Sequence, residues 1–188
     1  DLQVLEAARI AAVFAGGNYG PSAGTSVSPA NNPSGFAVWS VDRSDTVAAS
    51  SSSGPSACDR TVYPEVVAPG VSVRTTDRTL GGYDLNAYAV VSGTSFAAPH
   101  VSGAMAILAS AHPTASVADR ERALAESAVD LGAGGADTSY GFGLIDLPAA
   151  DAWLADPPGP VCTDLDGDGF FFEAGCGADL DCNDLDPT

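Results

Sequence analysis

Apolar residues fall at helical spacing over residues 2–10 (Leu2, Leu5, Ala8, with Ile10 near) and then run unbroken from Ala11 to Ala15. This predicts a short helix leading into a short buried strand. Phe36-Ala37-Val38-Trp39-Ser40-Val41 reads as a second buried strand and Ala89-Val90-Val91 as a shorter third. Val66-Val67 and Val71-Ser72-Val73 flank Ala68-Pro69-Gly70, which reads as a turn between extended pieces. Helices are predicted over Ser95–Ala111 and Val117–Val129, the second opened by Ser116 as N-cap. Short apolar strands alternating with helices predict an α/β domain on a parallel sheet. No internal repeat is visible.

Charge divides the chain. Residues 1–155 carry 15 acidic and 7 basic side chains, whereas residues 156–188 carry 9 acidic and none basic. Between them lies Asp156-Pro157-Pro158-Gly159-Pro160, which suits neither a helix nor a central strand. A main domain (1–155), a stiff linker (156–160) and an acidic tail module (161–188) are therefore expected. The length of 188 residues allows one domain and a small appendage. A net charge of −17, with seven arginines and no lysine, argues against nucleic acid or an anionic membrane as partner. No apolar run reaches 18 residues; the longest candidate, Ala97 to Ala111, is broken by Pro99, His100 and Ser102. The opening Asp1-Leu2-Gln3 has no initiator Met and no signal-like segment, so a removed or preceding stretch is expected.

The strongest chemical signal is Ser92-Gly93-Thr94-Ser95-Phe96-Ala97-Ala98-Pro99-His100-Val101-Ser102-Gly103. A glycine turn here feeds a helix that begins with Ser95. A serine in that place sits among free backbone N–H groups at the positive end of the helix dipole. Such a place suits a nucleophile and its developing oxyanion. A plain N-cap serine is the alternative for an isolated Gly-Thr-Ser.

The whole run closely resembles the nucleophile segment of the subtilisin-like serine proteases. Other segments resemble that family in its own order: Val13-Phe14-Ala15-Gly16-Gly17-Asn18-Tyr19-Gly20, Val41-Asp42, Ser51-Ser52-Ser53-Gly54-Pro55, Pro64 to Gly70, and Tyr140 to Asp146. The resemblance spans nearly all of residues 1–155. It implies a three-layer α/β fold with a parallel sheet, incomplete at its N-terminal side, followed by a small irregular Asp/Cys-rich tail. It further implies that Ser95 attacks the scissile carbonyl of a protein or peptide substrate. The Asn18 side-chain amide and the Ser95 N–H would hold the oxyanion, and Ala15, Gly16 and Gly17 would line one wall of the substrate pocket. Gly16 stands where the family usually has Ala, which would slightly loosen that wall.

The same resemblance exposes a deficit. The mechanism needs a histidine base and an orienting aspartate, and in this family both precede the serine. Residues 1–94 contain no histidine. His100, five residues past Ser95, would lie about 140° around the helix axis, and His112 about 25 Å along it. Neither can serve as base; His100 is expected to pack or hydrogen-bond, and His112 to sit on the solvent side of a helix end. The Asp, the His and part of the cleft are expected in a segment upstream of Asp1, and this chain alone is expected to be inactive.

The tail carries its own signal. Asp164-Leu165-Asp166-Gly167-Asp168-Gly169 sets carboxylates at alternate positions before a glycine, a pattern that suits calcium. It is not a regular EF-hand, because position 12 is Gly175 and Glu173 falls two places early. Asp181, Asp184 and Asp186 lie in a second oxygen-rich stretch. Together they resemble the Asp-rich repeats of secreted bacterial proteins, similar to thrombospondin type 3 repeats. Calcium is thus the expected cofactor, with Asp164, Asp166, Asp168, Asp181, Asp184 and Asp186 as ligands. Cys58, Cys162, Cys176 and Cys182 allow three pairings, and a disulfide in the tail would place the protein in an extracellular compartment. Two functions remain open: an exported endopeptidase, or an inactive subtilisin-like scaffold serving calcium-dependent binding or adhesion.

Overall fold

The computed structural model describes residues 2–78 and 87–158. These belong to the unit Asp1–Ala155 and the first residues of a second unit, Asp156–Thr188. In order the elements are α1 (Leu2–Ala7), β1 (Val13–Ala15), β2 (Phe36–Val41), β3 (Val66–Pro69), β4 (Val73–Thr76), β5 (Tyr88–Val91), α2 (Thr94–Ala111), α3 (Val117–Glu126) and α4 (Leu147–Ala155).

Strands β1, β2 and β3 form a parallel sheet in that order, with Val13 opposite Phe36 and Val38 opposite Val66. All six residues of β2 are buried, as expected for a parallel strand covered on both faces. Phe36 and Val38 join Val66 and Ala68 against Ala97, Val101, Met105 and Leu108 of α2, with Ala123, Leu124 and Ala150 behind. Ala37, Trp39 and Val41 turn the other way and pack with Val67, Tyr63 and Ala30. The alternation of one strand thus divides the core into two clusters, and the expected α/β architecture with a parallel sheet is what forms.

Several elements differ in extent from the sequence expectation, each for a physical reason. The first helix stops at Ala7, and Arg9 adopts φ 62° while its Nη2 donates to the carbonyls of Pro113, Thr114 and Ala115. Ala68 and Pro69 are not a turn but the end of β3; the bend falls at Gly70–Ser72, where Ser72 has φ 55°. Ala89–Val91 belongs to β5, which pairs antiparallel with β4 outside the parallel sheet. Helix α3 ends at Glu126 because Val129 is drawn into reciprocal backbone bonds with Leu144, at 2.8 and 3.0 Å. Helix α4 carried no sequence signal strong enough to predict it. It is fastened by His112 Nε2 to Asp151 Oδ1 at 2.8 Å and by the Arg122 guanidinium over the Trp153 ring. His112 therefore does not simply face solvent: its side chain is only 20% exposed and caps α2 against α4.

Ser116 caps α3 as expected. Its hydroxyl accepts from the Asp119 N–H while the Asp119 carboxylate accepts from the Ser116 N–H, a reciprocal capping box.

Candidate active site

The site forms where the carboxyl ends of the parallel strands meet the start of α2, the usual location for ligands in open α/β sheets. The chain leaves β1 at Ala15 and passes through Gly16 and Gly17 to Asn18. It leaves β3 at Pro69-Gly70, and the Gly70 carbonyl accepts from the Gly93 N–H at 2.8 Å. That bond ties the end of β3 to the turn that opens α2. Gly93 is the N-cap, with φ 144°, a backbone angle that L side chains seldom adopt.

Thr94 is the first residue of α2 and is fully buried, whereas Ser95, the next, is exposed. The Ser95 N–H is among the first-turn amides that have no acceptor within a helix, at the positive end of an 18-residue dipole. Pro99 lies four residues on and lacks the N–H that would otherwise bond the Ser95 carbonyl. Across from this turn, the Asn18 side-chain oxygen accepts from the Thr94 N–H at 3.0 Å and from the Thr94 hydroxyl at 3.3 Å. With its oxygen so engaged, the amide Nδ2 of Asn18 is left as a donor beside the turn that opens α2.

Ala15 is half-buried, and Gly16 and Gly17 are buried. The expectation that Gly16 loosens this wall is overturned. A Cβ at Gly16 would run into Cδ1 of Trp39, with Nε1 at 2.7 Å and the Val38 carbonyl at 3.2 Å. The space vacated by the missing methyl is taken by the indole, so the wall is tight. Gly17 has φ 96°, and a Cβ there would lie 2.5 Å from the Ser52 hydroxyl.

The structure thus brings together two separate stretches, Ala15 to Asn18 at the end of β1 and Ser95 at the start of α2. Both histidines are engaged elsewhere: His100 Nδ1–H donates to the Phe96 carbonyl at 2.9 Å, and His112 pairs with Asp151. Three neighbours that sequence reasoning assigned no role also surround the site: Thr94, Tyr63 and Ser52. Thr94 and Ser52 stood inside segments noted for their resemblance, but only the folded geometry links them to Asn18. The six tail aspartates, Asp164, Asp166, Asp168, Asp181, Asp184 and Asp186, lie outside the described residues, as do Cys162, Cys176 and Cys182. Among the described residues no group of three or more His, Cys, Asp or Glu is gathered as a metal would require. Among them, too, no helix is long and apolar enough to cross a membrane.

A serine exposed at a helix N-terminus, with a carboxamide held against the turn before it at the end of a parallel sheet, is an arrangement that could serve a nucleophile and its oxyanion. The chain belongs to the subtilase family, peptidase S8, whose family model matches residues 2–143. It is 38% identical over 146 residues to Subtilisin DY of Bacillus licheniformis, covering 77% of this chain and 47% of that protein. It is 40% identical over 143 residues to Subtilisin E of Bacillus subtilis (strain 168), covering 75% of this chain and 33% of that one. Among solved structures it resembles sphericase, with a TM-score of 0.67 and 30% identity over 77% of this chain and 50% of that chain. The chain therefore spans between a third and a half of the length of these relatives.

Proposed function

We propose that this chain is the nucleophile-bearing portion of a serine endopeptidase. Ser95 forms the acyl-enzyme with a protein or peptide substrate. The Ser95 N–H and the Asn18 side-chain amide stabilise the oxyanion of the tetrahedral intermediate, and Ala15, Gly16 and Gly17 line the pocket beside it. The observation that carries this reading is the pair of bonds from Thr94 to the Asn18 oxygen. They hold the carboxamide by its oxygen and leave its amide as the donor end, which supports an oxyanion role beside Ser95.

The base and its orienting carboxylate come, on this reading, from a segment that precedes residue 1, because the chain's own histidines are both occupied away from Ser95. Alone, the 188-residue chain is inactive, since loss of a triad member costs up to about a millionfold in turnover. The linker 156–160 joins this domain to the tail 161–188, whose aspartate spacing supports calcium binding by Asp164, Asp166, Asp168, Asp181, Asp184 and Asp186. Calcium and the tail cysteines together favour an extracellular setting.

The test is labelling by a fluorophosphonate in the protein extended upstream to include the Asp- and His-bearing segment, with Ser95→Ala as control. Labelling of the parent that is lost in the variant establishes the activated serine. A folded, calcium-loaded parent that takes no label points instead to an inactive scaffold, with binding through the tail as its working part.

A further inference from the structure

Asn18 is exposed and lies in a loop that leaves a strand of only three residues, so its position must be fixed from outside the strand. An oxyanion donor needs placement within about 0.5 Å. Four backbone groups bracketing Asn18 are held. The Gly16 N–H donates to the Val38 carbonyl at 2.9 Å, extending the ladder between β1 and β2. The Gly16 carbonyl accepts from the Tyr63 hydroxyl at 2.6 Å. The Gly17 carbonyl accepts from the Ser52 N–H at 3.0 Å. Beyond Asn18, the Tyr19 N–H donates to the Ser52 hydroxyl at 3.3 Å.

Ser52 and Tyr63 are 0% and 1% exposed, so neither competes with water for these partners. Tyr63 is steadied by an edge-on contact with Trp39, their ring centroids 5.9 Å apart. Trp39 in turn fills the space against Gly16. Ser52 lies against Gly17, so close that a side chain at 17 would strike its hydroxyl. Gly17 is thereby coupled to Ser52 in shape as well as by hydrogen bond.

Building on the endopeptidase reading, we infer that Ser52 and Tyr63 are positioning residues that hold the backbone on both sides of Asn18, so that its amide meets the oxyanion. Ser52 acts on the residues either side of Asn18, through its N–H on Gly17 and its hydroxyl on Tyr19. Tyr63 acts through the carbonyl of Gly16. Neither residue is a catalytic residue; each works through Asn18.

The experiment uses the upstream-extended protein and a peptide anilide substrate. Ser52→Ala and Tyr63→Phe should each lower kcat about tenfold while leaving KM within about twofold, because a donor displaced by a fraction of an ångström loses transition-state contact first. Ser52→Thr, which keeps the oxygen, should restore most of kcat. On an Asn18→Ala background each substitution should cost less than about twofold, since the group it positions is gone. An equal tenfold loss on that background, or no loss in the singles, would overturn the inference.

A second measurement does not need turnover. Hydrogen exchange of the Thr94 amide, which is bonded to the Asn18 oxygen, should speed up about tenfold in folded Ser52→Ala and Tyr63→Phe protein. Unchanged exchange there would overturn the inference even if the wild type took no fluorophosphonate label. Absence of label in the wild type would count against the endopeptidase reading alone.

Discussion

The side-chain oxygen of Asn18 accepts from both the backbone N–H and the hydroxyl of Thr94, at 3.0 and 3.3 Å, across 76 residues of sequence. One end of this contact is a loop at the end of β1 and the other the first turn of α2. Two donors on one oxygen fix which way the carboxamide faces, and on the proposed reading its amide is the oxyanion donor.

Replacing Asn18 by Leu in the upstream-extended protein should therefore lower kcat by about 10²–10³, with KM little changed, as for loss of one oxyanion donor. Thr94→Val removes only the hydroxyl and keeps the backbone bond, so its loss should be well below that of Asn18→Leu. Steady-state kinetics on a peptide anilide check both. A Thr94→Val loss as large as that of Asn18→Leu would show that the hydroxyl does more than orient the carboxamide.

Gly16→Ala should destabilise the fold by about 1–3 kcal/mol, the usual cost of overpacking, because Trp39 and the Val38 carbonyl already fill the site. Urea unfolding of Gly16→Ala, Trp39→Phe and the double variant forms a cycle. The smaller ring should relieve the clash, so the double variant should be more stable than the sum of the singles implies. Additivity within about 0.5 kcal/mol would place the cost elsewhere.

Ser116→Ala should cost about 1 kcal/mol through loss of the capping box on α3. The Ser116 hydroxyl and N–H hold the Asp119 carboxyl below its ordinary value. Its share of stability is present at neutral pH and is lost as pH falls through that depressed value. The difference between wild type and Ser116→Ala in thermal melts should accordingly narrow in strong acid.

Glu65 works in the opposite direction. Its carboxyl accepts from the Ala37 N–H beside β2, and burial pushes its pKa up to about 7. Below the ordinary value of 4.5 the group is protonated in both states and its contribution to stability is complete. As pH rises from 4.5 through 7 the unfolded chain releases the proton first, and that contribution is lost. Glu121, raised to about 7 by burial and by Glu6, adds in the same sense. Glu65→Gln keeps an acceptor for Ala37 and has no proton to lose. At pH 8 it should exceed wild type by on the order of 3 kcal/mol, with the gap closing near pH 4. A gap independent of pH would show that Glu65 does not titrate in this way.

Much of the molecule was legible in its sequence because local physics wrote it there. The run from Phe36 to Val41, apolar but for Ser40, read as a strand covered on both faces, and all six residues are buried. Ser116, three residues ahead of Asp119, marked its helix start with a cap whose partners lie within one turn. Gly93-Thr94-Ser95 signalled a turn into a helix, and the surrounding run suggested its chemistry. What sequence left undecided depended on distant partners. Val129 left α3 because Leu144 offered backbone bonds to it, and Ala89–Val91 joined a hairpin with β4 rather than the parallel sheet. The missing methyl of Gly16 read as slack until Trp39, 23 residues on, proved to fill it. Ser52 lay in a segment noted only for its resemblance and Tyr63 in none, and only folding set their groups against the backbone around Asn18. Spacing along the chain determines elements and the chemistry a residue can perform. Which groups meet is decided by long-range packing and hydrogen bonding, where burial removes water as the alternative partner.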